Sequence, residues 1–382
     1  MDPTFLAILS IFFLIFLLLC GLHVAVSLGL VGVAGFAILT GDWGAGVGLL
    51  RTTPYKVVAN FTFFAIPVFI LMGQFANYGG LSADIYSVVQ KWLGKVRGGL
   101  AMATTASCAA FAAACGSSVA TAATFTQVAL PEMLKYGYAK TIATGAIAAS
   151  GTLGALIPPS GLMIIYGIIT EQSIGKLLMA GFIPGIISAL IYMGMISCWV
   201  RLKPEIAPII TDTPTLREKL LSLYRVWGIV TLSIVVMGAI YMGIATPTEA
   251  GAFGAFGAFI IMICKGAFSR ERLRNTVLDT ATSTTMLFTI IIGAYIFSRF
   301  LAVTNVGPEL ADYLVGSGLS PHVILAGFLL LYVFLGMFMD PAAMMAITLP
   351  IVFPIVIEMG FSGIWFGVLV IKTSEIGLIT PP

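Results

Sequence analysis

The chain has 382 residues, of which 59% are hydrophobic and 9% charged, and its mean hydropathy is +1.07. A water-soluble domain carries about 25% charged residues, so a soluble globular fold is excluded and an all-α polytopic membrane protein is indicated. The formal net charge of +3 is small and scattered, which speaks against a nucleic-acid partner and leaves membrane lipid as the surroundings.

A membrane span needs about 20 apolar residues. Charge-free runs of that order occupy 5–22, 24–41, 57–77, 177–200, 226–248, 250–264 and 280–298. The opening MDPTFLAILSIFF has neither a basic leader nor a small-residue cleavage site, so it reads as the first span and not as a signal peptide. The first two runs meet at Cys20-Gly21-Leu22-His23, where a tight turn is expected, with His23 as a turn residue. Leu81 to Leu93 has the pattern of an amphipathic helix lying along a membrane surface, and Lys91, Lys95 and Arg97 collect at its end. Five basic residues in 201–225 and four in 265–274 mark both stretches as expected cytoplasmic loops. Two spans joined near Thr246-Pro247-Thr248 fit between them, with Glu249 opening a helix, where an acid is favoured. The five cysteines have no metal-ligand spacing and read as small packing residues, not as a disulfide framework.

Two regions do not read as simple spans. Gly98 to Pro131 is free of charge and nearly twice one span, yet it is dominated by Ala, Ser, Thr and Gly. Backbone that polar cannot face lipid, so a re-entrant helical hairpin with its tip at Gly116-Ser117-Ser118 is predicted. It is followed by 141–170, interrupted at Ile157-Pro158-Pro159-Ser160-Gly161, where paired prolines remove two donors and stop a helix. Residues 320–358 repeat the hairpin pattern, with an apolar arm to Phe338, a tip at Met339-Asp340-Pro341 and a second arm ending before Glu358.

These features belong to an internal repeat. Gly21, Gly29 and Gly32 fall on Gly243, Gly251 and Gly254 at an offset of 222, while Phe111, Ala120, Pro131, Gly137, Gly154, Pro158 and Pro159 fall on Phe334, Ala343, Pro354, Gly360, Gly377, Pro381 and Pro382 at 223. Five crossings in the first copy make the second copy inverted, with the first hairpin entering from the cytoplasm and the second from outside. Inverted repeats with broken helices are the pattern of secondary transporters, whose half-helix ends and freed carbonyls hold ions.

Hydroxyls and freed carbonyls at Gly116, Ser117, Ser118, Ser150, Gly151 and Thr152 are expected to form one sodium site. The offset places Ser117 on Asp340, Gly151 on Ser374 and Gly154 on Gly377, so Met339, Asp340, Thr373, Ser374 and Gly377 are expected at a second. The alternative for these small residues is close helix packing alone. Arg299, flanked by apolar residues, is either a counter-ion for an anionic substrate or a side chain snorkelling at the outer end of a span. Asp340 has three open roles: a sodium ligand, a partner of Arg299, or an acceptor for substrate hydroxyls. With two histidines and no HExxH or GxSxG, the chain is not expected to be an enzyme. Without GxxxxGK[ST] it carries no ATPase of its own, and a passive channel does not explain two hairpins.

The motifs GSSVATAA, PEMLKYGY, SGTLGALIPPSG, GMFMDPAAMMAITLPIVFPI and GLITPP resemble the large membrane subunit of tripartite ATP-independent periplasmic (TRAP) transporters, from about Phe5 to the last residue. The resemblance implies an ion-transporter-superfamily fold working as a sodium-driven elevator in the bacterial inner membrane, with sodium as coupling ion and no other cofactor. It implies a small four-helix membrane subunit and a periplasmic binding protein delivering an organic acid, such as a C4-dicarboxylate, sialic acid or a keto acid. A carboxylate transporter of the same superfamily working without a binding protein is the alternative. Family sodium ligands carry over to Ser117, Ser118, Gly151, Gly336 and Gly377, and substrate contacts to Ser118, Ser160, Arg299 and Asp340. The implied organisation is scaffold in 1–97, a transport-domain hairpin and broken helix in 98–176, scaffold and a second arm in 177–317, and the second hairpin in 318–382. Family members continue past the second proline pair, so the chain is expected to be a fragment.

Overall fold

A computed structural model describes residues 2–208, 214–316 and 318–381, and the regular elements among them are all helical. The first copy of the repeat runs through α1 (Pro3–Leu19), α2 (Val24–Thr40), α3 (Trp43–Val58), α4 (Ala65–Tyr78), α5 (Leu81–Leu93), α6 (Gly99–Cys115), α7 (Ser118–Val128), α8 (Leu130–Lys135), α9 (Lys140–Gly151), α10 (Leu153–Leu156) and α11 (Gly161–Ile169). Next come α12 (Ile174–Leu202) and the short α13 (Leu216–Leu223). The second copy is α14 (Trp227–Tyr241), α15 (Pro247–Cys264), α16 (Arg270–Thr304), α17 (Val306–Gly316), α18 (Pro321–Gly336), α19 (Pro341–Glu358) and α20 (Gly363–Ile379). Among the described residues six helical segments are long and apolar enough to cross a membrane. The pair Lys140–Leu156 and Gly161–Ile169, bent by 45°, makes a seventh if counted as one span.

The offset found in the sequence reappears in the helix boundaries. Shifted by 223, α5 falls on α17, α6 on α18, α7 and α8 together on α19, and α9 and α10 together on α20. Backbone conformation repeats as well: Gly21 (φ 83°) and Gly243 (φ 68°) close α1 and α14, and Gly137 (φ 77°) and Gly360 (φ 83°) turn the chain after each hairpin, all in the left-handed region that glycine enters without strain. Pro382, the mate of Pro159, lies outside the described residues, as do 209–213 of the basic loop.

Several boundaries depart from the sequence reading. The span placed at 280–298 is part of α16, which begins at Arg270. The polar run RERLRNTVLDT is helical, as is its repeat mate α3. That helix lay hidden in the sequence behind three glycines and an interior Pro54. Thr246 and Glu249 form a capping box at the start of α15, so Glu249 does open a helix. His23 is exposed at the turn before α2, and the five cysteines are free.

The chain divides into two compact units, Ala65–Ile164 with Ser173–Ala281, and Met1–Phe64 with Ile165–Gln172 and Thr282–Pro382. In the first, α15 crosses α4 at Gly251 and Gly254, where an added Cβ would meet Val68 at 2.6 Å and the Met72 side chain. Phe75 and Phe259 pack with ring centroids 5.2 Å apart, Tyr78 donates to Asp279 at 2.7 Å, and Lys265 pairs with Asp84. In the second unit α2 crosses the apolar half of α16 in the repeat-related way. A Cβ on Gly32 would lie 2.8 Å from the Phe297 backbone nitrogen, above a core that includes Leu28, Val31, Ala294 and Phe297. Each copy thus packs its second helix on a helix of the other, α2 on α16 and α15 on α4. Gly32→Leu is expected to cost at least the ~1–3 kcal/mol of an overpacked core and to lower Tm in detergent, whereas Gly29→Leu, with nothing within 4 Å of its Cβ, is expected to leave Tm unchanged.

Candidate functional site

The first predicted tip is built where α6 gives way to α7. Gly116 (φ 65°) ends α6, and Ser117, extended, caps α7 by accepting from the Ala120 N–H at 3.4 Å. The tip sits against the predicted break: the Gly161 N–H donates to the Gly116 carbonyl at 2.9 Å, and the Pro159 carbonyl abuts Gly116. A Cβ on Gly154 would lie 2.6 Å from the Ser117 carbonyl oxygen, and one on Gly151 would lie 3.2 Å from that of Ser118. Only glycine at both positions lets α9 and α10 approach the tip this closely.

Around this contact the hydroxyls are ordered by buried partners. Ser150 donates to the Thr105 hydroxyl at 2.8 Å, and Thr152 donates to the Ala149 carbonyl at 2.6 Å and lies 3.2 Å from the Tyr192 hydroxyl. Ser160 is fully buried, donates to the Ala155 carbonyl and accepts from the Met163 N–H at 3.4 Å, so its hydroxyl holds the break and caps α11. All six residues predicted for this site, Gly116, Ser117, Ser118, Ser150, Gly151 and Thr152, belong to the tip or the helix packed on it. None carries a formal charge. A cluster of neutral oxygens beside interrupted helices suits a monovalent, hard cation.

The second tip repeats this arrangement with one change. Asp340 stands where Ser117 stands and caps α19, its carboxylate accepting from the Ala342 and Ala343 N–H groups at 2.9 and 3.4 Å. A Cβ on Gly336 would lie 2.8 Å from the Ser374 carbonyl oxygen, and one on Gly377 would lie 2.5 Å from that of Val333. Gly336, Ser374 and Gly377 thus lie together at the second tip. The hydroxyls of Thr373 and Ser374 turn back onto their own helix, Thr373 to Leu369 and Val370 at 2.9 and 3.1 Å and Ser374 to Val370 at 2.6 Å. Met339 closes the turn, its N–H donating to Leu335 at 3.0 Å. The carboxylate in place of a serine makes this tip more negative than the first.

Arg299 lies on α16, exposed, and lines a cavity of about 540 Å³. Lys56 and Asn60, from the end of α3 and the turn after it, line the same cavity together with Tyr295 and Phe36. The sequence reading missed Lys56. No local signal marked it, because it lies on a segment that reads as neither a span nor a tip.

The packing at the tips yields a direct test. Gly154→Ala is expected to push the Ser117 carbonyl away and raise hydrogen exchange across 116–121, and Gly377→Ala is expected to do the same at 333–337. Gly145→Ala on α9, where nothing lies within 4 Å, is the matched control and is expected to leave exchange at both tips unchanged.

Residues 11–382 match the family described as the tripartite ATP-independent periplasmic transporter, DctM component. The C4-dicarboxylate TRAP transporter large permease protein DctM of Pseudomonas aeruginosa is 36% identical over 358 residues, which are 93% of this chain and 82% of that protein. The isethionate TRAP transporter permease protein DctMQ of Oleidesulfovibrio alaskensis is 32% identical across 100% of this chain and 59% of its own length. The sialic acid TRAP transporter large permease protein SiaM of Vibrio cholerae is 29% identical over 98% of this chain and 86% of its own. Among solved structures, the YdaH transporter of Alcanivorax borkumensis has the same fold, with a TM-score of 0.60 at 16% identity, covering 88% of this chain and 79% of that one. The chain belongs to the DctM component family, the large membrane permeases of tripartite ATP-independent periplasmic transporters.

Proposed function

We propose that this permease imports an organic acid anion across the bacterial inner membrane, coupled to sodium. The observation that carries the coupling is the pair of repeat-related tips, each seated on a helix interruption through a glycine with no room for a side chain. Such tips gather backbone carbonyls and hydroxyls at interrupted helix ends, where their oxygens replace part of the hydration shell of a monovalent cation. Sodium on the first tip uses Gly116, Ser117, Ser118, Ser150, Gly151 and Thr152. Sodium on the second uses Gly336, Met339, Asp340, Thr373, Ser374 and Gly377.

Substrate contacts fall to Ser118, Arg299 and Asp340, with Ser160 holding the break beside the first tip. Arg299 supplies the planar fork that a carboxylate fits. The substrates named for the relatives, C4-dicarboxylates, isethionate and sialic acid, all carry acidic groups, which supports an anion as cargo. A small membrane subunit and a periplasmic binding protein complete the transporter in this reading, and the carriage of cargo is an elevator movement of 98–176 with 318–381.

Linkage requires sodium and substrate to raise each other's affinity by the same factor. In proteoliposomes holding all three components, an inward sodium gradient is expected to drive accumulation of the acid. Equal uptake without sodium overturns the coupling. Arg299→Ala is expected to lower uptake by ~10- to 100-fold, the loss of a hydrogen bond between charged groups, with Tm unchanged. Unchanged uptake returns Arg299 to a snorkelling role.

A further inference from the structure

Basic residues collect where three helix ends meet. Lys91, Lys95 and Arg97 follow one another at the end of α5, Arg201 and Lys203 close α12, and Arg217, Lys219 and Arg225 lie in and just after α13. A Cβ on Gly98 would lie 3.0 Å from the Val200 side chain, so the segments that carry Arg97 and Arg201 touch there. Lys219 Nζ lies 5.7 Å from the centre of the Trp92 ring, which seats α13 on the end of α5, one residue from Lys91. Among the described residues none of these cations makes an ion pair. The acids of the same stretches are Glu205, Glu218 and Asp212, the last outside the described residues. Glu218 is taken up by the capping box of α13, where it accepts from the Thr215 N–H at 2.8 Å.

The apolar side chains beside these cations point away from the protein. Leu216, Leu220 and Leu221 of α13 are 69%, 55% and 64% exposed, while the buried residue of that helix is Ser222. Trp92, Trp199 and Tyr224, each within two residues of one of the cations, are exposed as well. Such a face is inside out for water and right for a membrane surface, where leucines enter the acyl region and aromatic rings sit at the headgroups. The excess of Lys and Arg puts it at the cytoplasmic leaflet. Orientation alone does not account for it. The other basic loop, 265–274, obeys the same rule, yet its Lys265 pairs with Asp84 and its Arg272 donates to the Ala267 carbonyl at 2.9 Å. One loop spends part of its positive charge inside the protein, and the other holds its cations open.

We propose that this face is a docking site for an anionic phospholipid of the inner leaflet, with Lys91, Arg97, Arg201 and Lys219 around its headgroup and the leucines of α13 against its acyl chains. Charge complementarity names the occupant. The cations take an anion, and the leucines beside them take hydrocarbon, a combination that a soluble anion lacks. Phosphatidylcholine offers the same chains and phosphate but adds a quaternary ammonium, which the cluster repels. The bound lipid fastens the end of α5 and the loop between the two copies at the leaflet, where the chain passes through Gly98 (φ 74°) into the first hairpin. The inference is independent of the cargo and of the coupling ion.

The test is native mass spectrometry of the chain in a neutral detergent with equal amounts of phosphatidylglycerol and phosphatidylcholine of the same acyl chains. The wild type is expected to retain phosphatidylglycerol with a preference of at least ~10-fold, which the triple variant Lys91→Gln/Arg97→Gln/Lys219→Gln loses, since each cation near an anionic headgroup adds to the attraction. Arg270→Gln/Arg272→Gln/Arg274→Gln, the same charge change on the other basic loop, is expected to keep it. A second measurement needs no variant to fold: phosphatidylglycerol with a photoreactive headgroup is expected to mark 91–97 and 215–225 of the wild type. Equal retention of the two lipids by the wild type overturns the proposal, as does a preference that survives the first triple variant. Equal loss in both triple variants reports diffuse positive charge and overturns it too, as do adducts confined to 265–274. A preference that disappears when the small membrane subunit binds assigns the face to a protein partner and has the same consequence. None of these outcomes bears on sodium coupling, so the transport reading stands or falls separately.

Discussion

Close backbone approach at glycine is the constraint on which the rest of this structure depends. Between helices in lipid there is little hydrophobic driving force, because lipid tails are as apolar as leucine, so association rests on van der Waals contact and hydrogen bonds. Both need short distances. Gly32 and Gly254 provide them where α2 lies on α16 and α15 on α4, and Gly154 and Gly377 provide them where the broken helices meet the hairpins. A methyl group at any of these four positions would overlap backbone or side-chain atoms at 2.8 Å or less.

The same contacts expose the chemistry. A hairpin tip ends two helices at once, and the carbonyls and amides at those ends lack partners in their own segments. At the first tip the broken helix supplies one such partner, through the Gly161 N–H on the Gly116 carbonyl, while the Ser117 carbonyl accepts from the Thr121 N–H and hydroxyl and lies beside Gly154, with the Ser118 carbonyl beside Gly151. Cation binding in the proposed mechanism is then a consequence of how the tips pack. The hydroxyls around them are mostly committed to carbonyls of their own helices, as at Thr152, Thr373 and Ser374, which keeps each helix continuous up to the tip. The two copies differ at one atom set that matters: a serine caps the first hairpin's second arm and an aspartate caps the other, so the two proposed sodium sites are similar in framework and unequal in charge.

The legibility of the candidate site in the sequence was uneven for physical reasons. Tip residues were readable because glycine, serine and paired prolines cannot sit in a lipid-facing helix without a purpose, and the repeat marked them twice. Ser160 was readable as part of the break, yet its hydroxyl is buried and bound to Ala155, a fact set by the turn of the chain around Pro159. Lys56 was not readable because it lies on α3, whose three glycines and interior proline mask a helix. Its place beside Arg299 comes from tertiary packing of segments more than 200 residues apart in the chain.

The sequence by itself determined the membrane-spanning, all-helical class, the repeat and its offset, the positions of both tips and of the first break, and the family resemblance. These follow from composition, from period and from residues whose backbone demands are local. Only the tertiary structure decided that α16 is one continuous helix from Arg270, that α2 packs on α16 and α15 on α4, and that Lys56 and Arg299 line one cavity. Those outcomes depend on which surfaces meet at van der Waals distance, and a residue's own identity does not say what will lie 3 Å from it.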